Sequence, residues 1–209
     1  MAFWDGITGI SLEQSVAAPA CSMRLVQAGA EVIKIERPEG DFARGYDAAV
    51  AGKSSYFVWL NAGKKSVVLD LQQDEQVEIL RQLISQSDVF IQNLKPGALA
   101  KLGVELDTLH QQHSKLISMS ISGFAVDGPG HSRKAYDLLM QAESGLSSIT
   151  GSPHAAGRVG VSLVDIATGQ FAYEAILGAL IQRGQSGQGA KLNVSLFDAV
   201  AHWLAVPYL

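Results

Sequence analysis

A single carboxylate, Asp165, stands out among the side chains of this 209-residue sequence that could do chemistry. The stretch before it, GVSLV (160–164), is β-branched and apolar, which predicts a buried strand, and the stretch after it predicts a helix. One interpretation is an N-cap that binds the first amides of that helix. The other is a nucleophile. A helix N-terminus would keep it ionised and supply amides for an oxyanion, and the small residues 167–169 would admit a bulky group. Composition and position leave both interpretations open.

Basic residues near the predicted strand ends form a second candidate group. They are Arg37, Lys64, Lys65, Lys95, Lys101, Arg133 and Lys134. Each alone is typical of a solvated surface. Because ligands of open parallel sheets bind beyond the carboxyl ends of the strands, the group together predicts an anion-binding rim for a ligand that bears phosphate.

Other chemistries have weaker support in the sequence. Glu36 ends a β-α-β unit where dinucleotide folds hold a ribose, but no G-x-G-x-x-G lies between Ile10 and Arg24, so we expect neither nicotinamide nor flavin. A plain structural acid is the favoured interpretation of Glu36. The five histidines lack metal-ligand spacing, and no G-x-S-x-G is present, so we expect neither a metal site nor a serine hydrolase. Cys21 is predicted to be a core residue.

Composition bounds the class of protein. Hydrophobic residues make up 47% of the chain and charged residues 17%, which predicts a substantial core and excludes disorder. The net charge of −4, with no basic cluster, argues against nucleic acid. A single cysteine and an N-terminus unlike a signal peptide favour the cytoplasm. The longest apolar run (166–181) carries Gln170 and Glu174 and is too short for a membrane span.

These candidates need a sheet to position them. The hydrophobic periods predict strands at 7–13, 31–36, 65–71, 89–93, 115–124, 160–164 and 191–196. They predict helices at 17–30, 74–88, 136–149, 165–184 and 197–206. Repeated β-α-β order implies an α/β, Rossmann-like fold, with a parallel sheet covered by helices on both faces, in one domain over residues 1–209.

Six segments resemble the class III CoA-transferases, a family that includes formyl-CoA transferase, carnitine CoA-transferase and α-methylacyl-CoA racemase. They are GAEVIKIERPEGDFAR (29–44), LNAGKKSVVLDL (60–71), SDVFIQNLKPGALAKLG (87–103), SISGF (120–124), YDLLMQAESGLSSITG (136–151) and VDIATGQFAYEAILGALIQRGQSGQG (164–189). Family chains are longer. This chain resembles their N-terminal large domain, without the small domain and the segment that returns to the large one.

The resemblance implies a role for each candidate residue. Asp165 matches the catalytic aspartate, which forms an aspartyl anhydride and then an aspartyl-CoA thioester. CoA then passes from an acyl-CoA to a small carboxylic acid, without a metal. The implied CoA-binding residues are Arg37, Lys64, Lys65, Lys101 and Lys134, and the implied residues around the acyl end are Val16, Ala17, Ala18, Tyr136 and Asp137. Family members are interlocked homodimers.

One pair of residues separates two activities within the family. Racemases carry a histidine followed by an aspartate at the start of the 136–149 helix, whereas this chain carries Tyr136 and Asp137. A phenol, with an ordinary pKa of about 10, is a poor base at neutral pH. The pair therefore favours a transferase over a racemase, although Tyr136 could also be a simple aromatic anchor. A third hypothesis is a non-catalytic CoA-binding remnant.

Overall fold

A computed structural model describes residues 3–209, which form one parallel sheet with helices around it. The strands are Thr8–Leu12 (β1), Glu31–Glu36 (β2), Lys65–Val68 (β3), Val89–Gln92 (β4), Ile117–Ser122 (β5) and Ala190–Ser195 (β6). They pair in the order β3-β2-β1-β4-β5-β6, and every pair is parallel. This is the strand order of a doubly wound nucleotide-binding sheet. The predicted α/β fold is confirmed.

Helices cover both faces of the sheet. They are Ala17–Gln27 (α1), Ser55–Asn61 (α2), Asp74–Ser85 (α3), Ala98–Lys101 (α4), Leu106–Gln112 (α5), Asp137–Glu143 (α6), Leu146–Thr150 (α7), Leu163–Ser186 (α8), Leu196–Trp203 (α9) and Ala205–Tyr208 (α10). A 3-10 helix spans Phe42–Gly45. One core cluster joins the sheet to α1, α8 and α9, and another joins it to α3, α4 and α5.

The central strand β4 shows why residues 89–91 are all apolar. In β4, Val89 and Ile91 belong to the core cluster on the α1 and α8 side, whereas Phe90 belongs to the cluster on the α3 side. Alternate side chains of a strand point to opposite faces, and helices cover both faces here. All three residues are therefore buried, and no polar alternation marks the strand.

The structure differs from the predicted elements at three places. The segment 160–164 is not a strand, because α8 begins at Leu163 and Asp137 binds the first amides of this helix. The predicted helix 136–149 divides into α6 and α7 at Gly145, whose φ of 78° ends the first helix. The short helix α2 was not predicted.

The helix α8 is longer than the apolar run 166–181, which was expected to be too short for a membrane span. It has 24 residues and is long and apolar enough to cross a membrane by length and composition alone, so the expectation that the segment is too short is wrong. A core helix passes the same test. In this structure Ala172, Ile176 and Leu180 of α8 are buried in the cluster that also contains α1 and β5.

Candidate active site

The site lies at the carboxyl ends of β1 and β4, the neighbouring strands at which the strand order reverses. Connections leave these two strands in opposite directions, which opens a crevice between them. The Gln14 amide donates to Asn93 Oδ1 at 3.0 Å, and Asn93 Nδ2 donates to the Gln14 carbonyl at 2.8 Å. These bonds tie together the two loops that follow β1 and β4. Val16, Ala17 and Ala18 come next in the chain and begin α1 at this edge.

The start of α8 lies beside the start of α1. A Cβ atom at Gly169 would lie 2.7 Å from both the Ala17 carbonyl oxygen and Ala20 Cβ, so only glycine permits this approach of the two helices. The Val16 side chain packs in a small cluster with Leu60 and Ile166. Gly169 is one helical turn after Asp165, so the two residues lie on the same face of α8, the face that packs against the start of α1.

Asp165 is the third residue of α8, after the N-cap Ser162, so it is not itself the N-cap. It is partly buried, and within residues 3–209 no group donates a hydrogen bond to its carboxylate. Burial, and then the neighbouring carboxylate of Asp137, raise the pKa of Asp165 to about 7. The expectation that the helix N-terminus keeps it ionised is wrong, because both protonation forms are populated at neutral pH.

Asp137 takes the helix N-terminus that Asp165 was expected to use. Its Oδ2 accepts hydrogen bonds from the amides of Val164, at 2.7 Å, and Asp165, at 3.1 Å. The other two amides of the first turn of α8 donate to backbone carbonyls. A carboxylate from α6 therefore caps α8. The prediction that α8 supplies amides for an oxyanion is not supported by this arrangement.

The N-terminus of α1 offers an alternative set of donors. The amides of Ala17 and Ala18 donate to no acceptor among the residues that the structure describes, and no side chain caps the helix. Unpaired amides at a helix N-terminus form a ready anion-binding site. These two amides therefore offer donors for negative charge at the start of α1, the helix that packs against α8.

Tyr46 belongs to the same site, although the sequence analysis did not identify it. Its hydroxyl lies 2.7 Å from Ser15 Oγ. Burial raises the pKa of Tyr46, the Ser15 hydrogen bond opposes this rise, and the acidic groups of Asp41, Asp165 and Tyr136 add to it. This coupling shows that Tyr46 lies near Asp165. The segment 29–44, which resembles the family, ends two residues before Tyr46. A longer comparison of this segment is the one sequence signal that could have identified Tyr46.

Tyr136 is the N-cap of α6 and its side chain is 60% exposed. It is therefore not a buried aromatic anchor. The next residue, Asp137, is fixed by Gln141, whose Nε2 donates to Asp137 Oδ1 at 2.6 Å. Of the predicted pair, Asp137 bonds directly to the start of α8, whereas the Tyr136 side chain is exposed.

The predicted basic residues divide into two groups. Arg37, Lys101 and Lys134 are exposed and lie in connections that leave the carboxyl ends of β2, β4 and β5. A cavity of about 330 Å³ opens beside the last two connections, and Lys95 lies in its wall. The positions of these four cations are compatible with an anion-binding rim. Arg133, which was predicted to belong to it, forms an ion pair with Glu143 at 2.6 Å.

Lys64 and Lys65 do not join that rim. The Lys64 side chain is 2% exposed, and its Nζ lies 2.7 Å from Glu13 Oε1, so protein groups already occupy this ammonium. Lys65 begins β3, and its Nζ lies 2.6 Å from Glu31, the first residue of β2. That position is at the amino ends of the strands, away from the ligand edge. Sequence spacing could not separate these adjacent lysines, because their side chains point to different sides.

Glu36 serves the fold, as its favoured interpretation states. Its carboxylate accepts hydrogen bonds from Arg44 at 2.8 and 2.9 Å and from Ser66 at 2.6 Å. Although burial raises the pKa of Glu36, hydrogen bonds from Arg44, Ser66 and the Asp41 amide lower it to about 2. Within residues 3–209, no three His, Cys, Asp or Glu side chains lie close enough together to hold a metal ion.

Comparison with known proteins agrees with this geometry. Residues 4–209 match the profile described as CoA-transferase family III. The chain belongs to this family. The family III chain is 36% identical over 198 residues to succinyl-CoA:glutarate CoA-transferase from Mus musculus, a match that covers 93% of the chain and 45% of that protein. It is 37% identical over 204 residues to acetyl-CoA:oxalate CoA-transferase from Acetobacter aceti, covering 96% of the chain and 52% of that protein.

A solved structure supports the same conclusion. The crystal structure of a CAIB/BAIF family protein from Brucella suis superposes with a TM-score of 0.92 at 35% identity, over 98% of the family III chain and 56% of that structure. The chain spans about half the length of the curated relatives it matches. The resemblance to class III CoA-transferases is confirmed.

Proposed function

We propose that this family III chain carries the nucleophile of an enzyme that moves CoA from an acyl-CoA thioester to a small carboxylic acid. One observation carries the proposal. Among the residues that the structure describes, no group donates a hydrogen bond to the partly buried Asp165 carboxylate, and the amides of Ala17 and Ala18, in the helix that packs against α8 at Gly169, donate to no acceptor. A nucleophile needs such an exposed lone pair, and its tetrahedral intermediate needs such donors.

The names of the relatives support a substrate class. One is named for succinyl-CoA and glutarate, and another for acetyl-CoA and oxalate. Both names pair an acyl-CoA with a dicarboxylic acid. We therefore infer that the acceptor of this protein is a small dicarboxylic acid.

The first half of the proposed reaction transfers the acyl group to the enzyme. The ionised Asp165 carboxylate attacks the thioester carbonyl carbon, and the amides of Ala17 and Ala18 bind the resulting oxyanion. The C–S bond then breaks, so that the CoA thiolate leaves and a mixed aspartyl anhydride remains. A carboxylate with a raised pKa is a stronger base, and hence a better nucleophile, once it has lost its proton.

The second half transfers CoA. The thiolate attacks the aspartyl carbonyl carbon, releases the donor acid and leaves an aspartyl-CoA thioester. The incoming carboxylate attacks this thioester, forms a second anhydride and again frees the thiolate. The thiolate finally attacks the acceptor's carbonyl carbon, which gives the new thioester and restores Asp165. No water or net proton is consumed.

Surface cations support the binding of CoA. Arg37, Lys101 and Lys134 are exposed around the carboxyl ends of the strands, where CoA phosphates would find opposite charge. Lys64 and Lys65 are left out of this proposal because Lys64 is buried against Glu13 and Lys65 lies at the amino ends of the strands. A homodimer and a cytoplasmic location belong to the same proposal, and a reducing compartment suits the single buried thiol of Cys21.

Intact-mass spectrometry tests the proposal directly. The folded chain is incubated with succinyl-, acetyl-, propionyl- or formyl-CoA, and we expect an added acyl or CoA mass that Asp165→Asn lacks. Asp198→Asn is the matched control, because Asp198 is also the third residue of its helix, and this variant should keep the adduct. If the folded chain binds CoA but forms no adduct, these residues do not catalyse alone, and the non-catalytic hypothesis replaces the proposal.

A second readout separates the transferase from a racemase. Incubation of a branched acyl-CoA in deuterated water should leave the α-hydrogen unexchanged, because the exposed phenol of Tyr136 stands where racemases carry histidine. Incorporation of deuterium at the α-carbon, lost in Asp165→Asn, would instead assign racemase activity.

A further inference from the structure

Four charged side chains are buried beside the site and take no part in the proposed chemistry. Glu13, Lys34, Asp41 and Lys64 have side chains that are between 0 and 2% exposed. Lys34 lies 2.7 Å from Asp41 and Lys64 lies 2.7 Å from Glu13, while Asn61 Oδ1 accepts from both lysines at 3.1 Å. Burying such pairs costs desolvation energy that a hydrophobic core avoids. The cluster is therefore expected to fix the position of the segments that it joins.

Asp41 connects this cluster to the site. Its Oδ2 accepts from Lys34 Nζ, while its Oδ1 accepts from the amides of Ser15, at 3.1 Å, and Ala43, at 2.9 Å. One carboxylate therefore joins β2, the loop after β1 and the 3-10 helix that leads to Tyr46. The loop after β1 leads into α1, and the 3-10 helix leads to Tyr46.

Ser15 has an unusual backbone conformation. Its φ is 70°, in the left-handed region that residues with a Cβ atom disfavour. Such conformations persist where surrounding contacts fix them. The Ser15 amide is held by Asp41, its hydroxyl contacts Tyr46 at 2.7 Å, and its neighbour Gln14 is held by Asn93. Because Ser15 directly precedes Val16, its φ sets the direction in which the chain enters α1.

We propose that Asp41 is a positioning residue of the CoA-transfer site. Its carboxylate holds Ser15 in the left-handed conformation and thereby sets the amides of Ala17 and Ala18, together with Tyr46, against Asp165. Lys34 fixes Asp41 from the opposite side. The inference rests on the proposed function for its effect on rate, but the hold on Ser15 is a property of the fold and can be measured separately.

The rate of adduct formation from acyl-CoA tests the effect on the site. In Asp41→Ala we expect this rate to fall roughly tenfold, because a left-handed residue without its partner is disfavoured by about that factor. Adding Ser15→Gly should restore most of the lost rate, since glycine adopts a positive φ without strain. Ser15→Gly alone is the reference. If Asp41 mattered only as the partner of Lys34, Ser15→Gly would restore nothing, and that result overturns the proposal.

A conservative variant separates positioning from stability. Asp41→Asn keeps an oxygen that can accept from Ser15 but loses the charge that pairs with Lys34. It should unfold at lower denaturant than the native chain, yet retain more of the adduct rate than Asp41→Ala. Equal rates in the two variants would contradict a role through Ser15. If Asp41→Ala does not fold, the uncharged double variant Lys34→Met, Asp41→Leu replaces it and is compared with and without Ser15→Gly.

Amide hydrogen exchange provides the readout that needs no catalysis. In Asp41→Ala, the Ser15 amide should exchange faster, while the amide of Leu80, in the core of α3, should stay protected. Unchanged exchange at Ser15, or an equal acceleration at Leu80, would overturn the proposal. A native chain that forms no adduct but shows the local change at Ser15 would refute the proposed function alone and leave the hold on Ser15 established.

Discussion

Replacing Asp165 with asparagine should stabilise the folded chain at neutral pH, even though it removes the proposed nucleophile. The carboxylate is partly buried, and Asp137 accepts the amides of Val164 and Asp165 that could otherwise have stabilised it. Burial and the Asp137 charge raise the pKa of Asp165 from 3.8 to about 7. An amide of nearly the same shape carries no charge to desolvate and no repulsion from Asp137.

The sign and size of the effect follow from proton binding. Between about pH 4 and pH 7, the unfolded chain has released the Asp165 proton while the folded chain retains it. The native chain therefore loses stability as the pH rises through this window. The rise in the pKa of Asp165 from 3.8 to about 7 corresponds to a loss of about 4 kcal/mol in the free energy of unfolding. This loss is complete above pH 7 and is absent below the pKa of the unfolded chain. This figure is an upper limit, because water still reaches part of the carboxylate.

Urea unfolding, followed by circular dichroism at pH 4 and pH 8, measures the difference. Asp165→Asn should raise the free energy of unfolding at pH 8 and leave it nearly unchanged at pH 4. Asp198→Asn is the matched control. Asp198 is also third in its helix, but it is exposed and accepts a hydrogen bond from Ser195 Oγ at 2.6 Å. Its loss should destabilise the chain by about 0.3–1 kcal/mol at pH 8, because a negative charge near a helix N-terminus is favourable.

Two results would refute this reasoning. One is an Asp165→Asn variant that is no more stable than the native chain at pH 8. This result would mean that burial and the Asp137 charge do not destabilise the ionised Asp165 carboxylate in the folded chain. The other is a gain of equal size at pH 4 and pH 8. That result would assign the gain to packing, because protonation would play no part in it.

Further predictions concern packing and buried charge, and the same urea assay measures them. Gly169→Ala should cost about 1–3 kcal/mol, because its Cβ would press into α1, whereas Gly178→Ala in the same helix meets nothing within 4 Å and should gain about 0.5–1 kcal/mol. Equal effects would contradict the close approach of the two helices. Lys64→Met should cost up to about 3–5 kcal/mol because it removes the ammonium 2.7 Å from the buried Glu13, which keeps only the Ser22 hydroxyl and the Lys34 ammonium at 3.8 Å. The exposed Lys65→Met should cost no more than about 1 kcal/mol, and a comparable loss there would contradict the assigned burial.

Local patterns predicted most of the fold. The strand 31–36 has the bounds of β2, and the strand 89–93 differs from β4 by one residue, because apolar and β-branched runs are sufficient where a parallel sheet is buried on both faces. The segment 160–164 is also apolar and partly β-branched but is not a strand. Asp137, from α6, accepts the amides of Val164 and Asp165, so α8 begins inside this segment. That information is not local.

The sequence by itself determined that Asp165 lies at a helix start among small residues, and its resemblance to a family gave the chemistry expected there. Only the tertiary structure decided how the carboxylate behaves. Asp137, 28 residues earlier in the chain, caps α8 and raises the pKa of Asp165, so the helix does not keep the nucleophile ionised. Likewise, Lys64 is buried while Tyr46 reaches the site. Electrostatic interactions depend on distance in space and on exclusion of water, and neither can be obtained from separation along the chain.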